Sequence, residues 1–292
     1  MKPIAIVLIS LMGITACDSS SESAGDDRPN VVAAVYPLEF VAEAVGGDLV
    51  DVDGITPAGA EPHDIELTAS QVRDLTNADL LVYIGEGFQP AVEDVVSQLD
   101  DDVVFDVLSG KDLLAPPPDE DLDVDPHVWL DPTIMASIAE QLAARLADID
   151  SPPEETFLDN AEQLSKELAQ LDDEFADGLA SCLTREIVTS HEAFAYLAAR
   201  YDLDQVGISG IDPEAEPTPE RLAEVAQFVE EHDISTIFFE ELGSSEIADT
   251  LARETGADVD VLATLESPPD SGDYFEVMRD NLTKLRRALD CE

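Results

Sequence analysis

Short apolar runs alternate with amphipathic stretches along most of this 292-residue chain. Val31-Val32-Ala33-Ala34-Val35 is apolar and partly β-branched, the pattern of a strand covered on both faces. Residues 40–45 read as a helix stopped by Gly46-Gly47. A helix over 69–77 and strands at 80–84 and 103–107 follow. The same order returns later, with a strand at 186–189, a helix over 193–201, a strand near 205–208, a helix over 220–232 and a strand at 236–239. Strands alternating with helices predict parallel sheets covered on both faces.

The two stretches can be laid on each other. Ala60-Glu61-Pro62 recurs as Ala215-Glu216-Pro217, an offset of 155, and the helix and strand after each are expected to keep it. Asp106-Val107-Leu108 recurs as Asp260-Val261-Leu262, one residue out of step. A shared register of this kind predicts two similar α/β lobes. Between them, residues 154–179 run without Gly or Pro until Gly178, and Leu158, Ala161, Leu164, Leu168, Leu171 and Phe175 recur at three- and four-residue steps. Ser151-Pro152-Pro153 supplies a cap and early prolines. Such a helix spans roughly 40 Å and can run along both lobes as a spine. The expected fold is α/β: two similar lobes, each a mostly parallel sheet flanked by helices, joined by one long spine helix. The binding site is then expected in the interlobe cleft, at the carboxyl ends of the strands.

The N-terminus reads as an address. Lys2, an apolar run from Ile4 to Ile14 and small residues before Cys17 form an export signal too short to span a bilayer comfortably. Ile14-Thr15-Ala16-Cys17 resembles the bacterial lipobox, and the Ser/Gly/Asp-rich stretch 18–30 reads as a flexible tether. The expected division is a signal peptide at 1–16, a lipidated tether at 17–30, an N-terminal lobe at 31–150, a linking helix at 151–181 and a C-terminal lobe at 182–292. With Cys17 carrying lipid, Cys182 and Cys291 remain as one candidate disulfide pair in an oxidising compartment.

Charge changes the picture further. There are 66 Asp and Glu against 14 Lys and Arg, a formal net charge of -52. That excess excludes nucleic acid as a partner, because a phosphate backbone needs a Lys/Arg surface to release its counterions. It also argues against docking on an anionic membrane through a basic patch. The acids are spread over periodic segments, unlike a disordered tail. A polyacidic cation sponge is one reading. A halophilic protein working in concentrated salt is the reading preferred here, since self-repulsion is screened there.

Four histidines are present. His63 precedes a helix, His127 lies in Asp125-Pro126-His127-Val128-Trp129-Leu130-Asp131-Pro132 beside the only tryptophan, and His191 follows a predicted strand. His232 ends a helix among acids and reads as a solvated terminal residue. Three histidines in strand-end loops of so histidine-poor a chain point to metal ligation. Imidazoles with one carboxylate suit Zn2+, and two imidazoles with two carboxylates lean toward Mn2+. Hydrolytic and phosphate-binding motifs (His-Glu-x-x-His, Gly-x-Ser-x-Gly, a Gly-rich phosphate loop) are absent. Nothing in the sequence places a histidine base beside Gly243-Ser244-Ser245.

From residue 31 to 291 the chain resembles the substrate-binding lipoproteins of bacterial zinc/manganese ABC importers, the cluster A-I metal-binding family. Asp125 to Pro132 is the most specific mark. Glu61-Pro62-His63-Asp64, Ser190-His191-Glu192-Ala193-Phe194-Ala195-Tyr196-Leu197, Pro213-Glu214-Ala215-Glu216-Pro217, Phe238-Phe239-Glu240 and the stretch from Tyr274 to Leu282 match as well. The resemblance implies His63 and His127 as ligands from the first lobe and His191 from the second. Many members carry an Asp where this chain has Ala263, and a zinc-binding subset has a glutamate three residues on, where Glu266 stands. Glu266 is therefore the expected fourth ligand, with Glu240 or a water as the alternatives. Zinc members often carry a His-rich stretch before the His127 motif, where residues 116–125 are acidic and histidine-free.

The resulting expectation is a monomeric, extracytoplasmic, lipid-anchored receptor of Zn2+ that serves an ABC permease and its ATPase and is not an enzyme. The alternatives are a manganese or mixed-metal receptor, or an open-site zinc hydrolase. Some family members are proposed adhesins, but this sequence has no separate adhesion module.

Overall fold

A computed structural model describes residues 28–117, 122–149, 154–240, 242 and 245–292. The expected signal peptide, Cys17, most of the tether, the Ser151-Pro152-Pro153 cap, Gly243, Ser244 and part of the acidic loop lie outside the described residues.

The first half holds β1 (Asn30–Ala33), α1 (Tyr36–Gly46), β2 (Asp51–Gly54), α2 (Ala69–Thr76), β3 (Leu80–Tyr83), α3 (Pro90–Val96), β4 (Val104–Asp106) and α4 (Pro132–Asp148). The long helix α5 (Glu154–Leu179) follows. The second half holds β5 (Glu186–Thr189), α6 (Ala195–Tyr201), β6 (Asp204–Gly207), α7 (Pro219–Glu231), β7 (Thr236–Phe239), α8 (Glu246–Thr255), β8 (Asp258–Val261) and α9 (Tyr274–Ala288). Two parallel four-stranded sheets result, ordered β2-β1-β3-β4 and β6-β5-β7-β8.

The sheets repeat each other strand for strand. Val32 pairs with Asp53 and Leu81, and its counterpart Val188 pairs with Val206 and Ile237. The constant offset expected from the sequence does not survive in detail. Tyr83 pairs with Asp106, while its counterpart Phe239 pairs with Val261, so the two Asp-Val-Leu triplets are displaced by one position. After Pro62 the chain needs six residues to reach Thr68, the cap of α2, whereas Thr218, the cap of α7, follows Pro217 directly. The extra first-lobe residues are the ones that carry His63.

Strand periodicity explains how one chain builds a shared interior. Successive side chains point to opposite sheet faces. Val31 and Ala33 therefore enter a core that runs through both halves, while Val32 and Ala34 enter a separate outer cluster with Leu75 and Val92. In the second lobe, Ile187 joins the common core, and Val188 packs outward with Val229 and Leu251. Helix α5 lines the common core with Phe157, Leu164, Leu168, Leu171 and Phe175. Burying each such side chain is worth about 1.5–3 kcal/mol, so this helix is held by its packed face rather than by propensity.

Helix α9 belongs to the second half by sequence but crosses to the first. Tyr274 stacks on Phe40 of α1 with ring centroids 5.2 Å apart. Its hydroxyl donates to the carbonyl of Trp129 at 2.7 Å. Cys182 and Cys291 are bridged, which fastens the end of the chain to the start of the second lobe.

Candidate metal centre

His63, His127, His191 and Glu266 converge, each offering one ligand atom, with all of these atoms within 4.8 Å of one another. Each comes from a loop at the carboxyl end of a strand: His63 after β2, His127 after β4, His191 after β5 and Glu266 after β8. His127, His191 and Glu266 are buried, and His63 keeps 9% of its side chain exposed. Glu266 Oε1 lies 3.8, 3.4 and 3.6 Å from Nε2 of His63, His127 and His191. A tetrahedral zinc with bonds of about 2.0–2.1 Å has ligand–ligand edges of about 3.3–3.4 Å, close to these separations. All three Nε2 atoms and both Glu266 oxygens are buried without a hydrogen-bond partner. Buried polar atoms are normally satisfied, so five orphans around one point mark the place of a cation.

The ligand loops are fixed from behind. In the His127 motif, Asp125 Oδ1 accepts from the His127 backbone N–H and pairs with its ring Nδ1, both at 2.9 Å. Asp131 caps α4 by accepting from the Thr133 N–H at 2.7 Å, and Pro132 begins that helix. Trp129 Nε1 donates to the carbonyl of Thr264 at 2.7 Å. Tyr196 donates to the Asp125 carbonyl at 2.9 Å and accepts from the Leu114 N–H at 3.0 Å. Near His63, Gln89 Nε2 reaches the carbonyls of Ala34 and Pro62 at 3.2 and 3.3 Å. The His63 ring meets Phe88 edge-on, with centroids 4.5 Å apart.

Glu266 is aimed by its backbone. Leu265 is buried and holds φ at 60°, a left-handed conformation that costs a branched residue of order 1 kcal/mol or more. Asn281 of α9 clamps the same loop, accepting from the Ala263 N–H at 2.9 Å and donating to its carbonyl at 2.8 Å. Both backbone polar groups of Ala263 are thereby paired.

Glu240 is not one of the four converging groups. Its Oε1 lies 2.5 Å from Nδ1 of His191, behind the ring. His232 is the terminal residue expected, capping α7, stacked on Phe228 and 3.3 Å from Glu186. Neither Asn281 nor Leu265 stands out in the sequence as part of the site. The signal that finds Asn281 is a polar residue on the buried face of an amphipathic helix.

Electrostatics follow from burial and pairing. Burial pulls the His191 pKa down, but the Glu240 and Glu266 carboxylates outweigh it and push it up to about 10. His127 is raised in the same way: burial opposes, and Asp125 and Glu266 prevail. For Glu266 burial acts upward, yet the three surrounding imidazoles hold its carboxyl well below the usual range. Glu61 is pushed up to about 8 by burial and then by the Glu266 charge.

Residues 31–288 match the family model of the periplasmic component A of the zinc-uptake complex, ZnuA. The chain belongs to that family. Within the ZnuA family it is 34% identical to the zinc-binding lipoprotein AdcA of Streptococcus pneumoniae R6 over its whole length. It spans 62% of that relative. It is 32% identical to the high-affinity zinc uptake system protein ZnuA of Bacillus subtilis 168, covering 97% of this chain and 94% of that one. The solved laminin-binding protein Lmb of Streptococcus agalactiae, described as bifunctional with adhesin and metal transporting activity, superposes with a TM-score of 0.82. That match has 34% identity and covers 90% of this chain and 99% of that one.

Proposed function

We propose that this ZnuA-family chain is an extracytoplasmic receptor that captures Zn2+ and delivers it to an ABC permease driven by its ATPase. His63, His127, His191 and Glu266 would be the ligands. The observation that carries this reading is the convergence of three buried, unpartnered imidazole nitrogens on one buried carboxylate at near-tetrahedral separations. Three imidazoles and one carboxylate suit zinc better than manganese, which prefers oxygen donors. Four protein ligands close the metal to reactive water, which fits a carrier rather than a hydrolase.

The finer parts of the proposal concern placement. Cys17 would carry the lipid anchor after removal of residues 1–16, and the chain would act as a monomer in concentrated salt. Among the described residues no helix is long and apolar enough to cross a membrane. The lobes would be 31–150 and 182–292, linked by 151–181, with α9 returning to brace the first.

The test is zinc and manganese competition on the metal-stripped protein, in high salt, beside Glu266→Ala. Tight 1:1 zinc, weak manganese and a loss of more than about 100-fold in the variant are expected, exceeding what a supporting residue costs. Manganese binding equal to zinc, or a variant as tight as the parent, would overturn the assignment.

A further inference from the structure

We propose that Glu240 is a positioning residue that sets how strongly and how long His191 holds the metal. This rests on the zinc-receptor reading above. Strands β5 and β7 are neighbours, with Val188 opposite Ile237 and Thr189 opposite Phe238. Residues 190–191 and 240 therefore leave the sheet side by side at its carboxyl end. Glu240 is 3% exposed, and its Oε1 lies 2.5 Å from His191 Nδ1. Ser190 donates its hydroxyl to the same oxygen. The opposite ring nitrogen, Nε2, faces Glu266 at 3.6 Å.

The His191 main chain is pinned as well. Its carbonyl accepts from Thr189 Oγ1 at 2.6 Å and from Gln205 Nε2 at 3.1 Å. The pinned backbone and the Glu240 oxygen 2.5 Å from Nδ1 favour the tautomer protonated at Nδ1 and restrict the ring's orientation. Its Nε2 lone pair then points at the metal, made more basic by the charge behind it.

The three histidines differ in this support. His127 uses Asp125 from its own loop, two residues away. His191 instead has a carboxylate from the segment that follows the neighbouring strand β7. His63 has the edge of Phe88 against it.

The experiment compares the parent chain, Glu240→Gln, Glu240→Ala and Glu266→Gln, all metal-stripped. Zinc affinity is read by chelator competition, release by rapid chelation, and geometry by the visible spectrum of the Co2+-loaded protein. Glu240→Gln is expected to lower zinc affinity about 10- to 100-fold, mainly through faster release, and Glu240→Ala to lower it further. Both should keep the intense tetrahedral Co2+ bands, and Glu266→Gln should not. The His191 Nδ1–H resonance of the zinc-loaded protein should move upfield in Glu240→Gln.

Affinity and release within twofold of the parent in both Glu240 variants would overturn the proposal. So would loss of the Co2+ bands in Glu240→Gln, which would make Glu240 a ligand. Lower melting of the metal-free variants with unchanged zinc release would reduce Glu240 to a structural role and also overturn it. Failure of the receptor reading is distinct, because it shows in the parent as absence of tight 1:1 zinc.

Discussion

The indole Nε1 of Trp129 donates to the carbonyl of Thr264 across the cleft at 2.7 Å. Trp129 lies two residues after His127, and Thr264 two residues before Glu266, so one hydrogen bond joins the two ligand loops that follow the last strand of each sheet. The indole is buried, and the Trp129 carbonyl is held in turn by Tyr274 of α9. Trp129→Phe removes the donor and leaves a buried carbonyl unsatisfied, which costs about 1–3 kcal/mol. Lower melting and faster zinc release are expected together. Unchanged zinc release in a variant with lowered melting would separate this bond from the site.

Zinc must displace protons. His191 is raised to about 10 and His127 is also raised, while Glu266 stays ionised. A ligand must be neutral to bind metal, so below its metal-free pKa each imidazole releases one proton per zinc. Log affinity should fall by about one per pH unit below pH 10, and more steeply once His127 also holds a proton. The fall thus begins above the ordinary histidine range near 6.5 expected from three unperturbed imidazoles. Affinity flat between pH 9 and 6 would contradict the three-histidine site.

The Cys182–Cys291 bridge joins cysteines 109 positions apart in the chain. Backbone bonds from Leu183 N–H to the Leu289 carbonyl at 3.0 Å and from Glu292 N–H to the Ser181 carbonyl at 3.3 Å reinforce it. Reduction should lower stability by about 2–5 kcal/mol. It should also loosen α9, which carries Tyr274 and Asn281. Identical melting with and without reductant would show that the bridge constrains nothing that unfolds.

A net charge of -52 should make stability rise with salt. The Debye length falls from about 10 Å at 0.1 M to about 3 Å at 1 M, which screens repulsion among exposed carboxylates. Denaturant midpoints that climb from 0.1 to 2 M KCl are expected. A flat or falling midpoint would remove the case for a halophilic protein.

By itself the sequence determined the strand–helix alternation, the two-lobe α/β fold and the spine, because hydrophobic period and Gly/Pro punctuation are local properties. Strands β5 and β7 and the helix Glu154–Leu179 match the expected bounds residue for residue. Strands β2 and β8 and helices α3, α4, α8 and α9 were not legible from pattern alone. Strand β2, Asp51–Gly54, carries charges at a sheet edge, where one side needs no apolar cover. Helix α9 hides its role because its apolar face packs on residues far away in the chain.

The three histidines were visible as a rare residue type in strand-end loops, and family resemblance pointed to Glu266. Tertiary structure alone decided how they meet. It put Glu240 behind His191 rather than among the four converging groups, because β5 and β7 are neighbours in the sheet though 50 residues separate Ser190 from Glu240. It also bent Leu265 into a left-handed turn and clamped Ala263 with Asn281, so that the glutamate three residues beyond faces the imidazoles. Sequence spacing sets which residues can share an element. Only packing of distant elements fixes which of several carboxylates faces a metal and which stands behind a ligand.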